Sequence, residues 1–133
     1  MPTLRTALWV FLVGFGLHNG DHARRGLDEV RDGVVWGGTA VAMITAVLVT
    51  LIVVRHPAAP TAAAVGGASI AVGVGAAHLL PDWGPLSDSL PEGDVDALTW
   101  IAVFAEITAA ALLAAVAVGI LRRHAYRPLI PHW

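Results

Sequence analysis

The chain of 133 residues has no cysteine and no lysine, a single tyrosine, and charged side chains at only 14% of its positions. Without cysteine, disulfides, thiolate metal ligands and thiol redox chemistry are excluded. Soluble domains carry charge at about a quarter of their positions. The shortage here, with 56% hydrophobic residues and a mean hydropathy of +0.70, places the sequence in the membrane class. A net charge of −2 with no basic patch argues against nucleic acid as a partner. All eight basic residues other than histidine are arginine, and alanine, valine and glycine abound, as in bacterial sequences of high-GC codon bias. The length suits one domain, residues 1–133, with the lipid bilayer of a bacterial plasma membrane as its expected surroundings.

Four apolar segments stand out, at about 4–17, 34–54, 61–80 and 98–121. Each approaches the ~20 residues that cross ~30 Å of hydrocarbon. Unpaired strand edges cannot be satisfied in lipid, so four such spans predict four helices, at about 4–22, 34–55, 61–80 and 98–123. The first lacks a small-residue cleavage site and runs directly into His18-Asn19-Gly20-Asp21-His22, so it is read as an uncleaved helix. Arg5, Arg55, Arg122, Arg123 and Arg127 collect on one side with no acid among them, whereas Arg24, Arg25 and Arg31 are diluted by Asp21, Asp28, Glu29 and Asp32. The positive-inside rule then predicts cytoplasmic N- and C-termini and two acidic outer loops. Trp9, Trp36, Trp83 and Trp100 fall near the expected interfaces. The short link His56-Pro57-Ala58-Ala59-Pro60 predicts that the second and third helices pair antiparallel, giving an antiparallel four-transmembrane-helix bundle.

Nine of the ten carboxylates lie in the two polar loops, and the tenth, Glu106, stands alone inside the last apolar segment. An ionisable group at membrane depth costs roughly 2.5–3.5 kcal/mol on insertion scales, and such groups face the bundle interior with a partner. Helical counting puts Thr99, Ala102, Ala109 and Ala110 on the face of Glu106, and Gly67, Ala71 and Gly75 on the face of His78. These small residues let helices approach closely. His18 and His22 share a face if the helix continues through Gly20. His18, His22, His78 and Glu106 all belong to the outer half, with Glu106 roughly 12 Å below the outer end of its helix at 1.5 Å per residue.

Three histidines and a buried carboxylate at one end of a small bundle form a candidate metal site: His18, His22, His78 and Glu106. Imidazole nitrogens with a carboxylate suit zinc, with an open position for catalysis. They also suit copper, iron or nickel. Asp21 or Asp82 is placed to hold a histidine by its second ring nitrogen, and Glu106 and Asp82 are the candidate proton-transfer groups. The plain alternative is that His18 and His22 are interfacial polar residues, His78 is bonded to a carbonyl, and Glu106 is a neutral acid bonded to a helix carbonyl. Arg24 and Arg25 are expected to pair with Asp21, Asp28 or Glu29. Ser87-Asp88-Ser89 and Glu92-Gly93-Asp94-Val95-Asp96 lack the spacing of a calcium loop and read as solvated. His56, His124 and His132 read as surface residues.

Four functions accommodate this pattern: a metal-dependent membrane enzyme, a homo-oligomeric transporter or channel with Glu106 as its proton or cation site, a b-type haem electron carrier with His18 and His78 as axial ligands, and an accessory subunit. In size and in its lone membrane glutamate the chain is similar to the small multidrug-resistance transporters. Their glutamate lies in the first helix and this one in the fourth, so no site residue carries over.

Overall fold

A computed structural model describes residues 3–26 and 30–125. Asp28, Glu29, Arg127 and His132 lie outside the described residues. Four α-helices make up the fold, and no strand occurs among the described residues: α1 (Leu4–Arg25), α2 (Asp32–Val53), α3 (Ala59–Leu79) and α4 (Ala97–Ala125). A one-turn 3-10 helix, Leu90–Glu92, interrupts the link between α3 and α4.

The helix ends follow local chemistry. Thr3 caps α1, its hydroxyl accepting from the Thr6 amide at 3.2 Å. Pro60 sits in the first turn of α3, where a missing amide hydrogen costs nothing. Asp96 accepts from the Thr99 amide at 3.0 Å and so starts α4. Gly20 does not break α1, which runs on for five residues and stops at Gly26 with φ 103°, a value that favours glycine. Helix α1 thus exceeds its expected end, and His18 and His22 keep a common face.

Helix α4 is the centre of the bundle, with α1 and α3 packed along it and α2 resting on α3. Consecutive helices run antiparallel. The Arg5 guanidinium at the start of α1 donates to the Val53 carbonyl at the end of α2, and Arg24 near the end of α1 reaches Thr99 at the start of α4. The core consists of Leu8, Phe11, Ile70, Val103 and Leu113 together with a run of alanines. Two glycines let α1 and α3 approach α4 closely. A Cβ on Gly14 would lie 2.8 Å from the Ala105 carbonyl oxygen, and one on Gly67 would lie 2.8 Å from that of Ala110. Small residues at these crossings let α1 and α3 lie against α4.

The expected faces were right for α4 and rotated for α3. Thr99, Ala102, Ala109 and Ala110 are buried along with Glu106. On α3 the buried stripe is Ala63, Gly67, Ile70, Val74 and His78, so Gly67 is shared with the expected set while Ala71 and Gly75 flank the stripe. Steps of three and four from His78 were the right rule; the larger Ile70 and Val74 are buried because α2 and the core fill that side.

Three helices, α2, α3 and α4, are long and apolar enough to cross a membrane, with mean hydropathies of 2.0, 1.5 and 2.3. Helix α1 has the length, 22 residues, but carries Arg5 and the polar His18–His22 stretch. Large apolar side chains stand exposed around the bundle, among them Trp9, Trp36, Met43, Val72 and Ile101. Such a surface marks contact with an apolar environment or a partner.

Overpacking a helix crossing costs about 1–3 kcal/mol. Gly67→Val is therefore expected to lower the thermal unfolding temperature of the detergent-solubilised protein, as is Gly14→Val. Gly119→Ala, where a Cβ meets nothing within 4 Å, serves as the control and should leave the melting curve in place.

Candidate metal centre

Helix α1 contributes His18 and His22 one turn apart, and α3 contributes His78 from its last turn. The three imidazoles form a compact group. Ring centroids are 4.7 Å apart for His18 and His22, 4.8 Å for His18 and His78, and 5.5 Å for His22 and His78. One ligand atom from each lies within 4.8 Å of the others. Tetrahedral zinc with nitrogens at 2.0–2.1 Å sets donors about 3.3 Å apart, so closing on an ion requires side-chain adjustments on the order of 1 Å.

Two rings have one nitrogen already held. His18 Nδ1–H donates to Glu106 Oε2, a bond between α1 and α4 inside the bundle. Both partners are buried, His18 at 6% exposure and Glu106 at 1%. His18 Nε2 and Glu106 Oε1 are left buried and without a hydrogen-bond partner. His78 Nδ1–H donates to the Asp88 carbonyl at 3.1 Å, with Asp88 Oδ2 at 3.5 Å. Metal-bound histidines show this arrangement, the far nitrogen anchored by a carboxylate or carbonyl and Nε2 turned to the ion.

His22 differs. Its Nδ1 lies 3.1 Å from an Arg25 guanidinium nitrogen, and arginine can only donate, so His22 accepts at Nδ1. Arg25 also contacts Asp88 Oδ2 at 3.1 Å and Asp21 Oδ2 at 3.2 Å. Its guanidinium thus lies among an imidazole and two carboxylates. A metal ligated through His22 Nδ1 takes the place of that N–H, and one ligated through Nε2 needs Arg25 to release Nδ1.

Asp88 reaches His78 because the loop after α3 folds back over the helix end. The last carbonyls of a helix lack intrahelical partners. Here the Ala76 carbonyl accepts from Trp83 Nε1 at 2.8 Å, and the Ala77 carbonyl accepts from the Asp88 amide at 2.9 Å. Ser87 is fully buried and Leu90 nearly so. The stretch expected to be solvated is instead a cap on α3. Nothing in the residue types of Ser87-Asp88-Ser89 signals this; the buried Leu90 within an acidic loop is the one sequence hint.

Asp82 does not hold a histidine. Both of its carboxylate oxygens are taken by Arg31, at 2.7 and 2.9 Å, and Asp88 stands beside His78 in its place. Asp21 does not hold a histidine either. It is buried and pairs with Arg24 at 2.7 Å and with Arg25, as expected for these arginines, which add Asp96 and Asp88 as partners. Glu106 sits behind His18 and outside the three-imidazole group. His56 and His124 are exposed, as expected.

Beside the imidazoles lies a chamber of about 490 Å³ between α1, α2 and α3. His18, His22, His78 and Glu106 belong to its lining, and the rest is mostly apolar, with Phe15, Val34, Val74 and Leu86 beside the polar Asn19 and Thr39.

Searches against protein-family models, curated proteins and solved structures gave no match.

The Arg31 guanidinium, hydrogen-bonded to Asp82, holds that carboxyl below its ordinary value. The contribution of this pair to loop anchoring is present above the ordinary aspartate pKa of about 3.9 and is lost as pH falls through the lowered folded value. Arg31→Ala is expected to move the Asp82 carboxyl titration, followed by carbon NMR, upward.

Proposed function

We propose that the chain is a multi-pass protein of the bacterial plasma membrane that binds one divalent transition metal, with zinc the best fit, through His18, His22 and His78, and that it uses the ion as a metal-dependent enzyme. The observation that carries this reading is the buried, unpartnered Nε2 of His18, whose other nitrogen is fixed by Glu106. A buried polar atom without a partner costs roughly 1–3 kcal/mol, and an imidazole anchored by a carboxylate is a preformed metal ligand.

Three protein ligands leave a fourth position open, the mark of catalytic rather than structural zinc. The three imidazoles would hold the ion, which would supply Lewis-acid and water-activating chemistry. The residues supply the rest. Glu106 Oε2 fixes the His18 ring, and Glu106, a residue of the chamber lining, would serve as the general base and acid for a reacting group held there. Asp88 positions His78. The apolar surroundings limit competing water and strengthen each of these interactions. The large apolar side chains exposed around the bundle support the bilayer setting, and the arginine bias supports cytoplasmic termini.

The haem alternative fits less well. Axial ligands face each other across the macrocycle, whereas the rings of His18 and His78 meet edge to face at 4.8 Å.

Protein purified without chelators is expected to carry about one zinc per chain by elemental analysis, and to show no Soret band. His78→Ala should abolish stoichiometric binding. Glu106→Gln should weaken it about 10–100-fold, the usual effect of losing an outer-shell partner, while His56→Ala leaves it unchanged. Wild-type protein that takes up no zinc, or His78→Ala that binds as wild type does, would overturn the metal reading.

A further inference from the structure

The chamber beside the histidines is mostly apolar, its polar groups being the three imidazoles, Glu106, Asn19 and Thr39. Its size falls within the 300–1,000 Å³ of small-molecule sites, which combine an apolar lining with a few convergent polar groups. Both orphaned atoms of the buried pair, His18 Nε2 and Glu106 Oε1, belong to residues of that lining. Glycines leave room in the lining. A Cβ on Gly37, Gly38 or Gly73 meets nothing within 4 Å.

The chamber opens sideways. Helices α1 and α2 touch over little of their length, and Gly38, Thr39 and Ala42 of α2 stand both in the lining and on the exposed surface. In a bilayer that exposed surface is lipid, so an apolar molecule enters without crossing water.

We infer that the chamber binds a single-chain amphiphile from the lipid phase, its aliphatic chain lying along Val34, Val41, Gly73 and Val74 and its polar head meeting the three histidines. This names the substrate class of the proposed enzyme and rests on that reading for the role of the head. The chain's gain is one of fit. A tail leaving lipid for an apolar chamber gains little hydrophobic energy, so the glycine-made space and the anchored head decide affinity.

The test uses a dodecyl hydroxamate carrying a diazirine near its chain end, with the full chain reconstituted in lipid nanodiscs. Photolabelling is expected within 34–42 and 73–77, suppressed by excess unlabelled dodecyl hydroxamate. Gly38→Leu and Gly73→Leu should reduce that labelling and weaken dodecyl hydroxamate binding by about tenfold or more. Both should keep zinc stoichiometry and acetohydroxamate affinity. Zinc-loaded protein labelled only at outward-facing positions such as Val13, Val72 and Ile101, or leucine variants that bind the long chain as wild type does, would overturn the inference and leave the metal reading standing. Competable labelling inside the chamber of protein that binds no zinc would support the chain site and sink the metal reading.

Discussion

The bond between His18 and Glu106 is the constraint around which this structure is built. It joins α1 to the central α4 inside the bundle, and both partners are almost completely buried. A buried carboxyl there has no water to turn to, and removing its partner leaves a buried polar group unsatisfied at a cost of about 1–3 kcal/mol. Close approach of the two helices is therefore a chemical requirement as much as a packing preference. Gly14, one turn before His18 and against the Ala105 backbone, provides that approach.

A second device brings in α3. Its C-terminal carbonyls need donors, and the loop that follows supplies the Trp83 indole and the Asp88 amide. Satisfying those carbonyls also sets Asp88 beside His78. Helix termination and site construction are thus one event. Arg25 then ties Asp21, His22 and Asp88 together, so α1 and the loop are cross-linked above the imidazoles. The result is an ordered polar end on an otherwise apolar bundle, with a chamber left where α2 stands away from α1.

Much of this was legible in residue order. Hydropathy located all four helices within a few residues, and the isolation of Glu106 pointed to an inward face of small residues, which Thr99, Ala102, Ala109 and Ala110 provide. The grouping of His18, His22 and His78 followed from chain direction, since alternate helix ends must meet at the same side. What escaped was set by contacts distant in sequence. Asp82 is drawn to Arg31 fifty-one positions away, and Asp88 is placed by a loop whose path depends on the carbonyls it caps. The contact of Arg25 with His22 depended on α1 continuing through Gly20, where helix propensity alone argues for a break. The depth of Glu106, counted along one helix, suggested separation from the histidines; α1 runs past His18 to Arg25, so His18 itself lies about two turns below its helix end, near the depth of Glu106.

X-ray absorption at the zinc edge of the purified protein reads the donor set most directly. Three imidazole nitrogens at about 2.0–2.1 Å with one oxygen in the fourth position are expected, the imidazole contribution falling in His18→Ala. A shell of oxygens alone, or a spectrum identical in His18→Ala, would contradict a metal centre built on the His18–Glu106 pair.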